Sequence, residues 1–73
     1  MAEQIVEAPL AGKVIRVHVQ GGNPVEEGDR ICVIEALKME IPILAPVSGK
    51  VKAIHISPGQ QVEGGDPLAV IES

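Results

Sequence analysis

Few side chains in this sequence can act as nucleophiles or proton carriers, and their spacing separates them. Lys38 lies at the centre of Glu35-Ala36-Leu37-Lys38-Met39-Glu40, a primary amine flanked by two apolar residues and, further out, two carboxylates. Such an amine can be acylated, but the segment supplies no evident base to activate it. His18 and His55 have no cysteine or carboxylate at metal-ligand spacing and read as strand-surface residues. Cys32 sits between Ile31 and Val33, without a histidine or basic residue beside it, and reads as a small core filler rather than a reactive thiol. Gly21-Gly22 and Gly64-Gly65 are turn glycines, with no following helix pattern that would make a phosphate loop. Nothing brings Ser, His and Asp, or Cys and His, together beside a pocket, so no catalytic set is expected.

The elements that must hold Lys38 are strands. The 73 residues contain no Phe, Tyr or Trp, so the core has to be built from ten Val, nine Ile and four Leu. Val and Ile pack well on a pleated surface and lose side-chain freedom in helices. An all-β domain follows, near the lower size limit for folding alone. The formal charge of −4, with ten acidic and six basic residues, disfavours nucleic acid and anionic membrane surfaces as partners. No apolar run approaches the roughly 18–20 residues of a membrane span, and the start MAEQIVEAP lacks a signal-peptide pattern. A single cysteine permits no internal disulfide, and a cytoplasmic location is the simplest expectation.

The chain is one pattern written twice. Residues 8–35 align with 45–72 without a gap, and 14 of 28 positions are identical, including Ala8/Ala45, Pro9/Pro46, Gly12/Gly49, Lys13/Lys50, Val14/Val51, His18/His55, Gly28/Gly65 and Glu35/Glu72. In each copy an extended segment (Ile5–Ala8, Ile41–Ala45) leads to a turn at Gly12 or Gly49. A strand follows over 14–19 or 51–56, then glycine-rich turns, then a last strand over 30–35 or 67–72. Apolar positions 14, 17, 19 and 51, 54, 56 step by three and then two, which predicts a bulge within each strand. Neither half could close its own sheet edges, so the two are expected to pack face to face and exchange edge pairing. The expected fold is a flattened β-barrel or sandwich of two quasi-symmetric four-stranded halves, a barrel-sandwich hybrid. Residues 1–73 would form one domain.

The repeat also decides the conformation around Lys38. EALKME is rich in helix formers, but Pro42 would interrupt a continuing helix and six residues is marginal for an isolated one. The second copy ends at Glu72-Ser73, so the first copy's last strand should end near Glu35-Ala36, and the next strand should begin near Ile41. Residues 36–40 then form a hairpin link. Its symmetry mates are the chain termini, Ser73 and Met1-Ala2-Glu3, so the tip and the termini are expected at opposite poles. Leu37-Lys38 is an odd hairpin centre, where Asn-Gly or Asp-Gly is usual.

These residues resemble the biotinyl domain family, the biotin carboxyl carrier modules, which carry an Ala-Met-Lys-Met hairpin midway between two similar halves. Here the motif stands as Ala36-Leu37-Lys38-Met39, with Ala8-Pro9-Leu10-Ala11-Gly12 and Ala45-Pro46-Val47-Ser48-Gly49 matching elsewhere, over residues 6–72. The resemblance implies that a biotin protein ligase biotinylates Lys38 from an activated biotinyl adenylate. Biotin would then carry CO2 as carboxybiotin between biotin carboxylase and carboxyltransferase or decarboxylase active sites, and the domain itself would be non-catalytic. Ala36, Leu37 and Met39 would form the hairpin, with Glu35 and Glu40 as candidate ligase contacts; Glu35 reads equally well as a structural strand end, because its repeat mate is Glu72. Leu37 departs from the usual Met; the two are close in volume, so biotinylation is implied to be retained, at most slowed. The related lipoyl domains generally carry Asp before and Ala after the lysine, and neither is present. The ungapped repeat leaves no room for a protruding thumb, which places the resemblance with thumbless domains of multifunctional carboxylases, decarboxylases and transcarboxylases. A lipoyl carrier, an unmodified hybrid-barrel adaptor and a small enzyme are the competing readings.

Overall fold

The computed structural model describes residues 2–73. Eight strands are found among them: β1 (Glu3–Glu7), β2 (Gly12–Val17), β3 (Pro24–Val25), β4 (Arg30–Ala36), β5 (Met39–Leu44), β6 (Gly49–Ile54), β7 (Gln61–Val62) and β8 (Pro67–Glu72). They form two four-stranded sheets, ordered β1-β8-β6-β3 and β5-β4-β2-β7, and every pairing is antiparallel. The all-β expectation holds, and so does the exchange of edges, since each sheet takes two strands from each half of the sequence.

The predicted bulges are present. Pairing of β2 with β4 shifts register between Val14 and Arg16, and pairing of β6 with β8 shifts between Val51 and Ala53. Beyond each bulge the ladder stops, at Val17 and Ile54, earlier than the sequence suggested. The chain stays anchored there through His18 N–H donating to the Ile31 carbonyl (2.9 Å) and His55 N–H to that of Leu68 (2.9 Å).

Reciprocal backbone bonds tie the halves together. Gly22 N–H donates to the Val51 carbonyl and Val51 N–H to that of Asn23; Gly59 N–H donates to the Val14 carbonyl and Val14 N–H to that of Gln60. The glycine-rich turn of each half therefore docks on the bulged strand of the other. Gly22, Gly28, Gly59 and Gly65 have φ between 91° and 95°, a conformation other residues rarely adopt, and they occupy matching places in the two copies. The short strands β3 and β7 emerge from these turns. Two residues carry no periodicity, so pattern reading does not separate them from the turns.

The interior follows the same symmetry. Val14 and Val51, Ile31 and Leu68, and Ile34 and Ile71 are repeat mates and almost completely buried, as are Cys32 and its mate Ala69. No polar or charged side chain is buried among the described residues. The result is an elongated body of 36 × 18 × 17 Å. At one pole Ala2 and Ser73 exchange backbone hydrogen bonds (3.3 and 2.9 Å). β8 runs towards that pole from Asp66 and Gly65, whose neighbour Gly64 packs on Leu10 just before Gly12, on the side of the molecule where the β4–β5 hairpin turns. The hairpin is thus at the other pole. Met1, part of the expected terminal cluster, lies outside the described residues.

Candidate functional site

The link between β4 and β5 is shorter than the sequence suggested. Ala36 pairs with Met39, so only Leu37 and Lys38 lie outside the ladder, and the expected 36–40 link narrows to two residues. Both have positive φ, 53° and 62°. This is the left-handed geometry of a type I′ turn, whose twist matches that of the flanking strands. A left-handed residue other than glycine costs about 1–2 kcal/mol, so the tip holds two unfavourable backbone conformations in succession.

The strands that hold it can bear that cost. From Cys32↔Ile43 to Ala36↔Met39, β4 and β5 pair in unbroken register, and β4 is also paired on its other side with β2. Ile34 is fully buried beneath the hairpin and Ala36 nearly so. Gly12 does not form the turn expected there but opens β2, the bend falling over residues 9–11. A methyl group on Gly12 would come within 2.5 Å of Ile34 Cγ2, 2.7 Å of the Glu35 carbonyl oxygen and 3.3 Å of Ala36 Cβ. β2 therefore lies hard against the base of the hairpin. The only sequence signal for this was the identity of Gly12 with its mate Gly49, which opens β6 in the same way.

Side chains leave the tip outward. Leu37 is 86% exposed and Met39 64%, the highest values for large apolar side chains among the described residues. Lys38 is exposed and takes part in no hydrogen bond or ion pair among the described residues. Glu35 and Glu40 are both exposed and directly opposite one another, with Lys13 opposite Glu35 on the far side, giving the cross-strand row Glu40–Glu35–Lys13. The repeat builds the same row at the other pole as Glu3–Glu72–Lys50. There Lys52 bonds Glu3, an interaction that raises the lysine's pKa through the hydrogen bond and charge of Glu3. Lys52's mate is Ile15, so the tip row has no equivalent cation.

The remaining chemically capable groups are not gathered at this site. His18 and His55 are exposed on separate halves, and no cluster of three metal-ligating side chains exists among the described residues. Burial pushes the Cys32 thiol up to about 11, so it stays protonated and inert at neutral pH. An open groove of about 330 Å³ runs between β1 and β5, lined by Ile5, Ile41, Pro42 and Leu44, with Glu7 its only ionisable side chain. Among the described residues no helix is long and apolar enough to cross a membrane. What the tip can do chemically is present one unobstructed amine, and its residues fit an amide-linked prosthetic group.

Comparison with known proteins gives the same picture. A family model described as "Biotin-requiring enzyme", the biotin/lipoyl family, matches residues 4–71. The biotin/lipoyl attachment protein of Bacillus subtilis is 41% identical over 39 residues, covering 53% of this chain and 53% of that protein. Glutaconyl-CoA decarboxylase subunit gamma of Acidaminococcus fermentans is 44% identical over 39 residues, 53% of this chain and 27% of that one. The crystal structure of Kluyveromyces lactis urea carboxylase superimposes with a TM-score of 0.91 at 35% identity, covering 99% of this chain and 6% of that one. The aligned region thus spans about half of the first of these relatives and far less of the others. With a matching family model over nearly its whole length, the same fold and an exposed hairpin lysine, the chain belongs to the biotin/lipoyl attachment family, as a biotin carboxyl carrier domain of the kind found in biotin-dependent carboxylases, a carrier rather than a catalytic domain.

Proposed function

We propose that Lys38 is the attachment residue, that a biotin protein ligase acylates its Nζ, and that the domain carries CO2 between partner active sites in the cytoplasm. The observation carrying this reading is the exposed Lys38 at the second position of a two-residue, left-handed tip, on a body whose other lysines lie on strands. The partners are a biotin carboxylase and a carboxyltransferase or decarboxylase, in line with the names of the relatives, which include carboxylases and a decarboxylase subunit. Residues 1–73 act as one unit, with repeats 8–35 and 45–72 joined through 36–40.

The chemistry divides between the domain and its partners. The neutral Lys38 amine attacks the carbonyl of an activated acyl adenylate; AMP leaves and the amine's proton passes to the ligase or solvent. The ligase supplies the activation, because the tip has no base of its own. Acylation removes one positive charge, taking the formal net charge from −4 to −5. Bound biotin supplies a ureido nitrogen that accepts and releases CO2. The chain's own residues present and restrain: the type I′ turn points Lys38 away from the body, and the exposed Leu37 and Met39 give partners an apolar grip around it. Met39 is flexible enough to suit more than one partner. Glu35 and Glu40 offer carboxylates to a basic ligase surface. Tethering keeps the local concentration of the cofactor high at both sites.

Incubation with biotin, ATP and a biotin protein ligase should give streptavidin-reactive chain for wild type, Lys13→Ala and Lys50→Ala, and none for Lys38→Ala. Labelling that persists in Lys38→Ala rejects the assignment, and labelling only with lipoate and a lipoate ligase reassigns the cofactor.

A further inference from the structure

We infer that Gly12 is a positioning residue for the modification of Lys38, setting the height of the hairpin above the body; this rests on Lys38 being the acceptor. The contacts are all with β4, with its backbone at Glu35 and with the side chains of Ile34 and Ala36. A Cβ at position 12 would lie 2.7 Å from the Glu35 carbonyl oxygen, where about 3.4 Å is ordinary contact, so one strand must retreat by about 0.7 Å. Its other close neighbour, Ile34 Cγ2, belongs to a completely buried side chain with nowhere to go.

The strand that moves is β4. β2 is backed at this level by β7, through Gly12↔Val62 and Lys13↔Gln61. β7 is an edge strand as β5 is, but β2 is also held by Val14 N–H donating to the Gln60 carbonyl and Gly59 N–H to that of Val14. The outer neighbour of β4 is β5, which belongs to the same hairpin and moves with it. The hairpin can therefore swing outward as a unit, and Glu35 is only three residues from Lys38. A reacting atom misplaced by about 1 Å can lower a rate about a hundredfold, so a shift of this size should cost at least about ten-fold in kcat for ligation.

The fold supplies its own control. Gly49 makes the matching contacts with the Glu72 carbonyl and Ile71 Cγ2 at the far pole, beneath the chain termini instead of the hairpin. Gly12→Ala and Gly49→Ala insert the same methyl group against the matching carbonyl and isoleucine of the neighbouring strand, closer to the isoleucine at Gly12 and to the carbonyl at Gly49, and only the first disturbs the tip. The experiment compares ligase steady-state kinetics of the full chain, below the melting temperature of each variant, with thermal melts alongside. Expected is a similar loss of Tm in both, with kcat lowered about ten-fold or more in Gly12→Ala at a KM within about two-fold of wild type, and Gly49→Ala labelling like wild type. Equal kcat in the two variants overturns the inference. If Gly12→Ala does not fold, Ala36→Gly against Ser73→Gly carries the test: removing the methyl that rests over Gly12 should lower kcat several-fold, and equality within that pair is the overturning result. A wild-type chain that is not labelled at all instead rejects Lys38 as acceptor, and this inference falls with it.

Discussion

Replacing Lys38 with glycine should make the domain more stable while abolishing its modification. Leu37 and Lys38 hold φ of 53° and 62°, and each such residue costs about 1–2 kcal/mol relative to a right-handed conformation. Glycine at position 38 removes that cost but brings an unfolded-state entropy penalty of roughly 0.5–1 kcal/mol. Nothing else is lost, because the Lys38 side chain is exposed and has no partner among the described residues. The net gain is about 0.5–1 kcal/mol, or roughly 2–8 °C in Tm for a domain of this size. Lys38→Ala is the control: alanine keeps the Cβ that makes the left-handed conformation unfavourable, so it should melt close to wild type. The transition should be followed by far-UV circular dichroism or calorimetry, since the chain has no Trp, Tyr or Phe. Lys38→Gly melting at or below Lys38→Ala would refute the reasoning, because the tip would then carry no backbone strain at that position. If the gain is found, the lysine is kept there at a cost to stability, as expected where function outweighs folding.

Two further outcomes follow from other parts of the structure. Leu37→Met restores the residue usual in the family at an 86% exposed position; ligation kcat/KM should rise by no more than about ten-fold, with Tm unchanged, and a fall would show that Leu37 suits its ligase better than Met. The Cys32 thiol is pushed by burial from 9.0 to about 11, so above pH 9 the unfolded chain ionises first and stability declines from about pH 9 to pH 11, by about 2 kcal/mol. Cys32→Ala, copying the fully buried mate Ala69, should remove this component of the alkaline loss. Identical pH profiles for the two proteins in denaturant melts would contradict the assignment.

The repeat made most of the scaffold readable. Because 8–35 and 45–72 share so many residues, an otherwise helix-like EALKME could be assigned to a hairpin, and the three-then-two spacing of Val14, Val17 and Val19 disclosed a bulge that the register shows between Val14 and Arg16. The parts that stayed hidden depend on distances rather than patterns. Gly12 looked like a turn residue because glycine marks turns and close approaches alike, and only the position of the Glu35 carbonyl separates the two. The two-residue length of the link could not be read, since Met39 and Glu40 suit a loop as well as a strand. The imbalance between the poles, where Lys52 bonds Glu3 while Ile15 stands at the matching place, required the strand register before the rows Glu40–Glu35–Lys13 and Glu3–Glu72–Lys50 could be compared.

The central claim is that this scaffold singles out one of four lysines for acylation, and it is tested most directly by mapping the adduct. Wild-type chain labelled to completion by a biotin protein ligase with biotin and ATP should gain a single biotinyl group by intact mass, and fragmentation should place it on Lys38. A biotinyl group on Lys13, Lys50 or Lys52, or none on the folded chain, would contradict the account.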